Sequence, residues 1–216
     1  MTKNKLSKLI EKSQEHIVEE PRDYIGASSI GSECLRQIWY AYKGVKPEGV
    51  PPKTRRIWAT GKHLEELVIK WLIDAGINVM TFDVTYTSKN VPQLQGHIDA
   101  LIQIKKKNCI LEIKTAKNAS YNVFVAKGLL AWNPQYYAQI QTYMGMSSIH
   151  QAYILVLNKD NSALSDELIT FNEGFYQALE RKAQMIASAV IDPPKINNSP
   201  LFFKCKMCSF NKVCHK

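Results

Sequence analysis

Asp99, Glu112 and Lys114 are the residues whose types and spacing most directly imply chemistry. They lie in GHIDALIQIKKKNCILEIKTA, which runs from Gly96 to Ala116. If residues 109–115 form a strand, side chains alternate between its faces. Glu112 and Lys114 then emerge on one side, and Cys109, Leu111 and Ile113 on the other. Asp99 lies across a KKKN turn, and antiparallel pairing brings its carboxylate beside Glu112. Two carboxylates and an ammonium on one patch suit phosphodiester hydrolysis. Oxygen ligands of this kind hold Mg²⁺ or Mn²⁺, which polarises a phosphate and lowers the pKa of bound water. Lys114 orients that water or stabilises charge on the phosphorus. The same E-x-K spacing also occurs as a surface pair on an edge strand, so further features must separate the two.

A second constellation is Cys205-x-x-Cys208-x5-Cys214. A C-x-x-C loop presents two thiolates to one centre, which is a metal-ligand spacing. For the fourth ligand Cys34, near the other end of the chain, is a better candidate than His215, because adjacent residues seldom bind one centre comfortably. Spacing leaves structural Zn²⁺ and an iron–sulfur cluster both open. A ligand set split between the two ends closes a long loop around a tail with few apolar residues. Cys109 sits in a hydrophobic strand and reads as core.

These residues need a scaffold. Leu6, Leu9 and Ile10 predict a short amphipathic helix. Serine capping chemistry at Ser28, Ser29 or Ser32 precedes a helical run ending at Gly44. From Arg56 to Ala75 the spacing of Ile57, Leu64, Leu67, Val68, Trp71 and Leu72 predicts a helix stopped by Gly76. The period then changes. VMTFDVTY, QLQGHIDALIQI and NCILEIKTA read as strands, followed by helices over about 120–130 and 134–146. AYILVLNK is a strand with the continuous apolar character of burial on both faces. ELITF and a helix from Glu173 to about Val190 complete the pattern. Residues 1–216 are therefore expected to form one α/β domain, a mixed central β-sheet flanked by helices. The irregular segment from about 195 to 216 is expected to pack against the N-terminal region through Cys34.

Gly96-x-x-Asp99 followed by Glu112-x-Lys114 resembles the core of the PD-(D/E)xK nuclease superfamily, with Ile98 in place of the proline. Gly61-x-His63 and Gln139-x-x-x-Tyr143 resemble elements of its RecB-like branch. The resemblance implies a restriction-endonuclease-like core, with Asp99, Glu112, Lys114, Gln139 and Tyr143 catalytic and His63, Asp99 and Glu112 on the metal. Glu65 and Glu66 rank below them as helpers, and no motif position claims His97. The setting of Cys34, with Ser29, Arg36, Trp39 and Tyr40 around it, is similar to RecB-family nucleases that carry a [4Fe–4S] cluster. Those include AddB-type enzymes and the small nucleases of CRISPR adaptation. The likeness implies that Cys34, Cys205, Cys208 and Cys214 hold such a cluster.

The charge balance, 28 Lys plus Arg against 19 Asp plus Glu, favours a polyanionic partner. Arg55, Arg56, Lys62, Lys105, Lys106, Lys107 and Lys117 flank the carboxylates. Tyr121, Phe124, Trp132, Tyr136 and Tyr137 are near in sequence and either stack on bases or belong to the core. No apolar run approaches the roughly 18 residues of a membrane span, and the N-terminus lacks the apolar block of a signal peptide. A cytoplasmic protein of a bacterial, archaeal or phage-infected cell is expected, without a disulfide framework. No phosphate-binding loop of the ATP-motor type occurs. The expectation is an exonuclease on DNA ends or single-stranded DNA, working with recombination, repair or CRISPR-adaptation proteins. A structure-selective endonuclease and a non-catalytic DNA-binding scaffold are the alternatives.

Overall fold

The computed structural model describes residues 4–15 and 22–216. Helix α1 (Lys5–Gln14) is followed by the two-residue strand β1 (Ile25–Gly26), a single helical turn α2 (Ala27–Ile30), and α3 (Leu35–Tyr42). The serines expected to cap one continuous helix do not do so. Ser29 Oγ donates to Gly26 O, and Ser32 Oγ accepts from the Cys34 N–H. The chain turns between the two helices at 31–34, and Cys34 stands at the start of α3.

The long helix α4 (Pro52–Asp74) opens with Pro52 in its first turn, where a missing N–H costs nothing. It ends before Gly76, whose φ of 80° is the left-handed conformation that glycine adopts freely. Strands β2 (Asn78–Thr87), β3 (Leu94–Ile104) and β4 (Lys107–Ala116) form an antiparallel meander. Helices α5 (Asn118–Trp132) and α6 (Pro134–Ser147) then carry the chain over to β5 (Gln151–Asn158), which pairs parallel with β4. Strand β6 (Leu164–Thr170) adds antiparallel to β5, and α7 (Glu173–Ser188) follows. Two single turns, α8 (Phe203–Lys206) and α9 (Asn211–Cys214), lie in the tail. Helix α5 is broken at Gly128, with φ of 73°, and there the Leu129 N–H donates to Glu167 Oε2. Asn133 and Asn172 cap α6 and α7 by accepting from backbone N–H groups of the first turn.

The result is a mixed α/β architecture with a central sheet covered on both faces. Ile110, Ile154 and Val156 point to the core shared with α5, α6 and α7. Cys109, Leu111 and Ile113, at the alternate positions of β4, pack with Val68 of α4 on the other face. Cys109 is core, as its sequence setting implies. So are Tyr121 and Phe124, while Trp132, Tyr136 and Tyr137 pack against the same cluster. Among the described residues no helix is long and apolar enough to cross a membrane.

The tail is fastened to the N-terminal region by more than cysteines. Arg36 Nε donates to Pro193 O, Trp39 Nε1 to Ala189 O, and the Tyr40 hydroxyl to Asp192. Further on, the Tyr40 and Phe210 rings stand 5.6 Å apart. The Glu48 carboxylate accepts from the Lys212 N–H, and Ser209 O accepts from the Glu48 N–H. The tail has few apolar residues, as its sequence implies, and α3 supplies polar contacts that hold it in their place.

Candidate active site and cysteine cavity

Strands β3 and β4 stay paired from Ile104–Lys107 up to Ala100–Leu111 and separate there. Asp99 and Glu112 are the next residues on each strand, so both carboxylates stand at the fork. Asp99 Oδ2 accepts from the Ile113 N–H at 2.6 Å, so its side chain continues the ladder that the backbone has left. Glu112 is 1% exposed. From two residues along β4, and therefore the same side, Lys114 Nζ donates to Glu112 Oε1 at 2.5 Å. Gln139 of α6 donates to that same oxygen at 2.8 Å and to the Tyr143 hydroxyl at 2.7 Å. Residues four apart share a helix face, which is why one α6 turn presents both. Tyr143 in turn rests on β3. A Cβ at Gly96 would fall 2.6 Å from Tyr143 Cε1 and 2.6 Å from Ala27 Cβ, so only glycine admits this approach.

The second Glu112 oxygen, Oε2, is buried and has no hydrogen-bond partner. An unpaired carboxylate oxygen in the interior is costly. Burial, reinforced by the negative charge of Asp99, outweighs Lys114 and pushes the Glu112 pKa up to about 8. Burial likewise raises Asp99 above the usual carboxylate range, against the pull of Lys114 and the Ile113 N–H. Burial opposes the charge on Lys114, but Glu112 and Asp99 outweigh it and hold the ammonium above its ordinary pKa. The Lys114 ammonium also lies over the Tyr136 ring, 4.9 Å from its centre.

Helix α4 contributes Glu65, not His63, to this group. Burial raises the Glu65 pKa and Asp99 raises it further, with Lys62 and Lys114 opposing. His63 is two positions away, on nearly the opposite side of the helix, with its side chain 81% exposed and 3.4 Å from Glu66. The signal that would have ranked Glu65 higher was present in the sequence. It lies three and four residues before Val68 and Ile69, both of which turn toward the sheet, so it faces inward. His97 is exposed and turned to Thr85 and Tyr24. The lysines at 105–107 occupy the hairpin at the far end of β4, five residues or roughly 16 Å from Glu112. They do not flank the site.

The four cysteines line one cavity of about 400 Å³ between α3 and the tail, with His215 also on its wall. All are free thiols. Burial raises the pKa of Cys208, and Cys34, Cys214 and Cys205 each raise it further; Cys205 also feels Cys34 and Cys214. Among the described residues no three His, Cys, Asp or Glu side chains are already arranged to hold a metal ion. At the carboxylates, each acid is instead turned to a donor of the protein itself.

A model of the YqaJ-like viral recombinase domain matches residues 3–150. The chain belongs to this family. The match takes in the strands and helices that carry Glu65, Asp99, Glu112, Lys114, Gln139 and Tyr143, and stops before the three C-terminal cysteines. No match was found among curated proteins. Among solved structures, this YqaJ-like chain is similar to an alkaline exonuclease (LHK-Exo) from Laribacter hongkongensis. The TM-score is 0.60 at 13% identity, covering 84% of this chain and 91% of that one. That exonuclease is also known in complex with dAMP. SSO0001 is similar with a TM-score of 0.57 at 21% identity, covering 97% and 93%. A phage-related exonuclease from Haemophilus somnus 129PT gives 0.57 at 14% identity, covering 76% and 91%. At these identities the likeness is one of fold, and the fold is the restriction-endonuclease-like one that the carboxylate motif implied.

Proposed function

We propose that this chain is a metal-dependent DNA exonuclease acting on DNA ends or single strands in recombination, with residues 1–216 as one nuclease domain. The observation that carries the reading is the buried, partnerless Glu112 Oε2 in company with Asp99 and Glu65. A carboxylate cluster of this kind fits Mg²⁺ or Mn²⁺, which supplies polarisation of the scissile phosphate and a more acidic bound water. Asp99 and Glu112 are assigned as its ligands, and Glu65 takes the place on α4 expected for His63. Lys114 faces the reacting phosphate and stabilises its charge. Gln139 and Tyr143, both buried, position Glu112 and do not reach the substrate. Family membership supports a role in recombination, and the likeness to the exonucleases from Laribacter hongkongensis and Haemophilus somnus 129PT supports the exonuclease reading. The protein acts in the cytoplasm of a bacterial, archaeal or phage-infected cell, where recombination or CRISPR-adaptation proteins are its partners.

End-labelled linear DNA and circular single strands of the same sequence, each with Mg²⁺ or Mn²⁺, test the reading. Nucleotides released from linear DNA with the circle left intact are expected. An opened circle would make the enzyme an endonuclease, and DNA bound but uncut with either metal would leave only a scaffold.

For the cysteine cavity we propose a [4Fe–4S] cluster held by Cys34, Cys205, Cys208 and Cys214, as in the RecB-like branch. Four thiols line one cavity, and thiolate sulfur is the donor that such a cluster takes. The cluster's contribution is structural, tying α3 to the tail at a distance from the carboxylates. Cys208→Ser is expected to lower bound iron and Tm together in anaerobically purified protein. Zinc without charge-transfer absorption in the wild type would replace the cluster with a structural Zn²⁺ site.

A further inference from the structure

Beside the carboxylates lies an open groove of about 360 Å³, lined by Lys53, Arg56, Thr60 and Gly61 of α4, Thr115 of β4, and Lys159 after β5. We propose that this groove is a binding site for the phosphodiester backbone of the strand being cut, a few nucleotides from the scissile bond. The inference rests on the nuclease reading for the identity of the strand, but the groove is defined by its own geometry.

Leu64, Val68 and Leu72 of α4 form the stripe that packs on the sheet. The same stripe, followed back toward the helix start at spacings of three and four, contains Lys53, Ile57, Thr60 and Gly61. Positions that a globular helix fills with apolar side chains here carry an ammonium, a hydroxyl and no side chain at all. Lys53 and Thr60 are exposed, and Ile57 is 47% exposed, so this half of the stripe stands off the sheet. A Cβ at Gly61 would meet nothing within 4 Å. Close packing of the protein therefore does not explain a glycine in mid-helix, where it costs about 1 kcal/mol relative to alanine.

Three cations line the groove, and among the described residues no carboxylate does. Asp160, next to Lys159, is turned away to accept from the Asn118 N–H. Arg56 is held from outside by Glu11 and Gln14 of α1, which leaves Lys53 and Lys159 as the groove's exposed ammonium groups. Thr115 follows Lys114 on β4 with its side chain on the α4 side of the sheet, and Gly61 lies one helical turn before Glu65, so the groove adjoins the α4 edge of the site. Lys53 and Thr60 are seven residues apart, roughly 10 Å along the helix axis. That span suits one or two phosphates of a single strand.

The test measures binding of a single-stranded oligonucleotide, with and without a terminal phosphate, to the full chain in EDTA across a series of salt concentrations. Lys53→Ala/Lys159→Ala is expected to weaken binding about tenfold or more and to flatten the slope of log K against log salt by about 1.4, the value for two lost phosphate contacts. The loss should be equal for both oligonucleotides, and Lys53→Arg/Lys159→Arg should restore it. Unchanged affinity and slope would overturn the proposal. A loss confined to the phosphorylated oligonucleotide would also overturn it, and would make the groove a terminal-phosphate pocket. Wild-type cleavage with Mg²⁺, run in parallel, separates this from the nuclease reading. A chain that binds through the groove and cuts nothing refutes only the latter.

Discussion

Glu112→Gln is expected to reduce DNA cleavage by about a thousandfold or more, and Asp99→Asn to do the same, since on the proposed reading each removes a charge that holds the cation polarising the phosphate. The two variants should differ in stability. Glutamine keeps the shape of Glu112 and its contact with Gln139, with a neutral amide whose NH2 takes the place of the partnerless oxygen. It relieves the repulsion with Asp99 but also removes the charge that Lys114 pairs with, so its stability should vary less with pH than that of the wild type between pH 4.5 and 8. Asparagine at 99 can still accept from the Ile113 N–H, but Lys114 loses one of the charges that sustain it. Alanine is the poorer probe at 112. It would strand the largely buried Lys114 without its partner, and breaking a buried pair costs about 3–5 kcal/mol whatever the catalytic role. Single-turnover cleavage of end-labelled DNA, with thermal melts of the same samples, measures both effects. Wild-type cleavage rates in both isosteric variants would remove the carboxylates from the mechanism.

The second large effect is on pH. A carboxyl group that titrates near 4.5 when unfolded and at about 8 when folded holds its proton more tightly in the native state. Between these values the folded chain binds more protons than the unfolded one, so stability falls as pH rises. The contribution of Glu112 is thus fully present below pH 4.5, is lost progressively toward pH 8, and changes little above it. A difference on the order of a few kcal/mol relative to Glu112→Gln follows from a shift of this size, reduced by the compensating charge of Lys114. A cation reverses the balance because it requires the ionised oxygen and displaces the proton. Affinity for Mg²⁺ should therefore rise about tenfold per pH unit up to about pH 8 and then level off. Calorimetric or thermal-shift titrations with Mg²⁺ at pH 6, 7, 8 and 9 measure this. A flat profile would mean that Glu112 is ionised throughout and that Lys114, not burial, controls its charge.

The same residues show how far local patterns reach. The E-x-K spacing on β4 and the apolar alternation around it determine a strand with Glu112 and Lys114 on one side, because side-chain direction in a strand depends on position alone. The four-residue separation of Gln139 and Tyr143 is equally local, as are the glycine at the end of α4 and the change of period at residue 78. The spacing of Cys205, Cys208 and Cys214 is likewise local, and all three line the cavity that Cys34 also lines. Chain pattern was therefore enough for the long helices and strands in their order and for Glu112 and Lys114 standing side by side, while the family resemblance supplied Gln139 and Tyr143.

Tertiary structure decided the matters that depend on contacts between distant segments. Nothing in the neighbourhood of Asp99 says that β3 and β4 part at Ala100–Leu111 and that its carboxylate then takes the Ile113 N–H. Helix α4 could have turned His63 or Glu65 to the sheet. Packing of Val68 and its neighbours on β4 selected Glu65, since rotating the helix to bring His63 inward would expose that core. The burial that raises Glu112 comes from α6, and the staples on the tail come from α3, more than a hundred residues away in each case for the latter. Periodicity specifies which face a residue occupies on its own element. What that face meets, and hence whether a carboxylate is solvated or forced to share an interior with another, is set only when the elements dock.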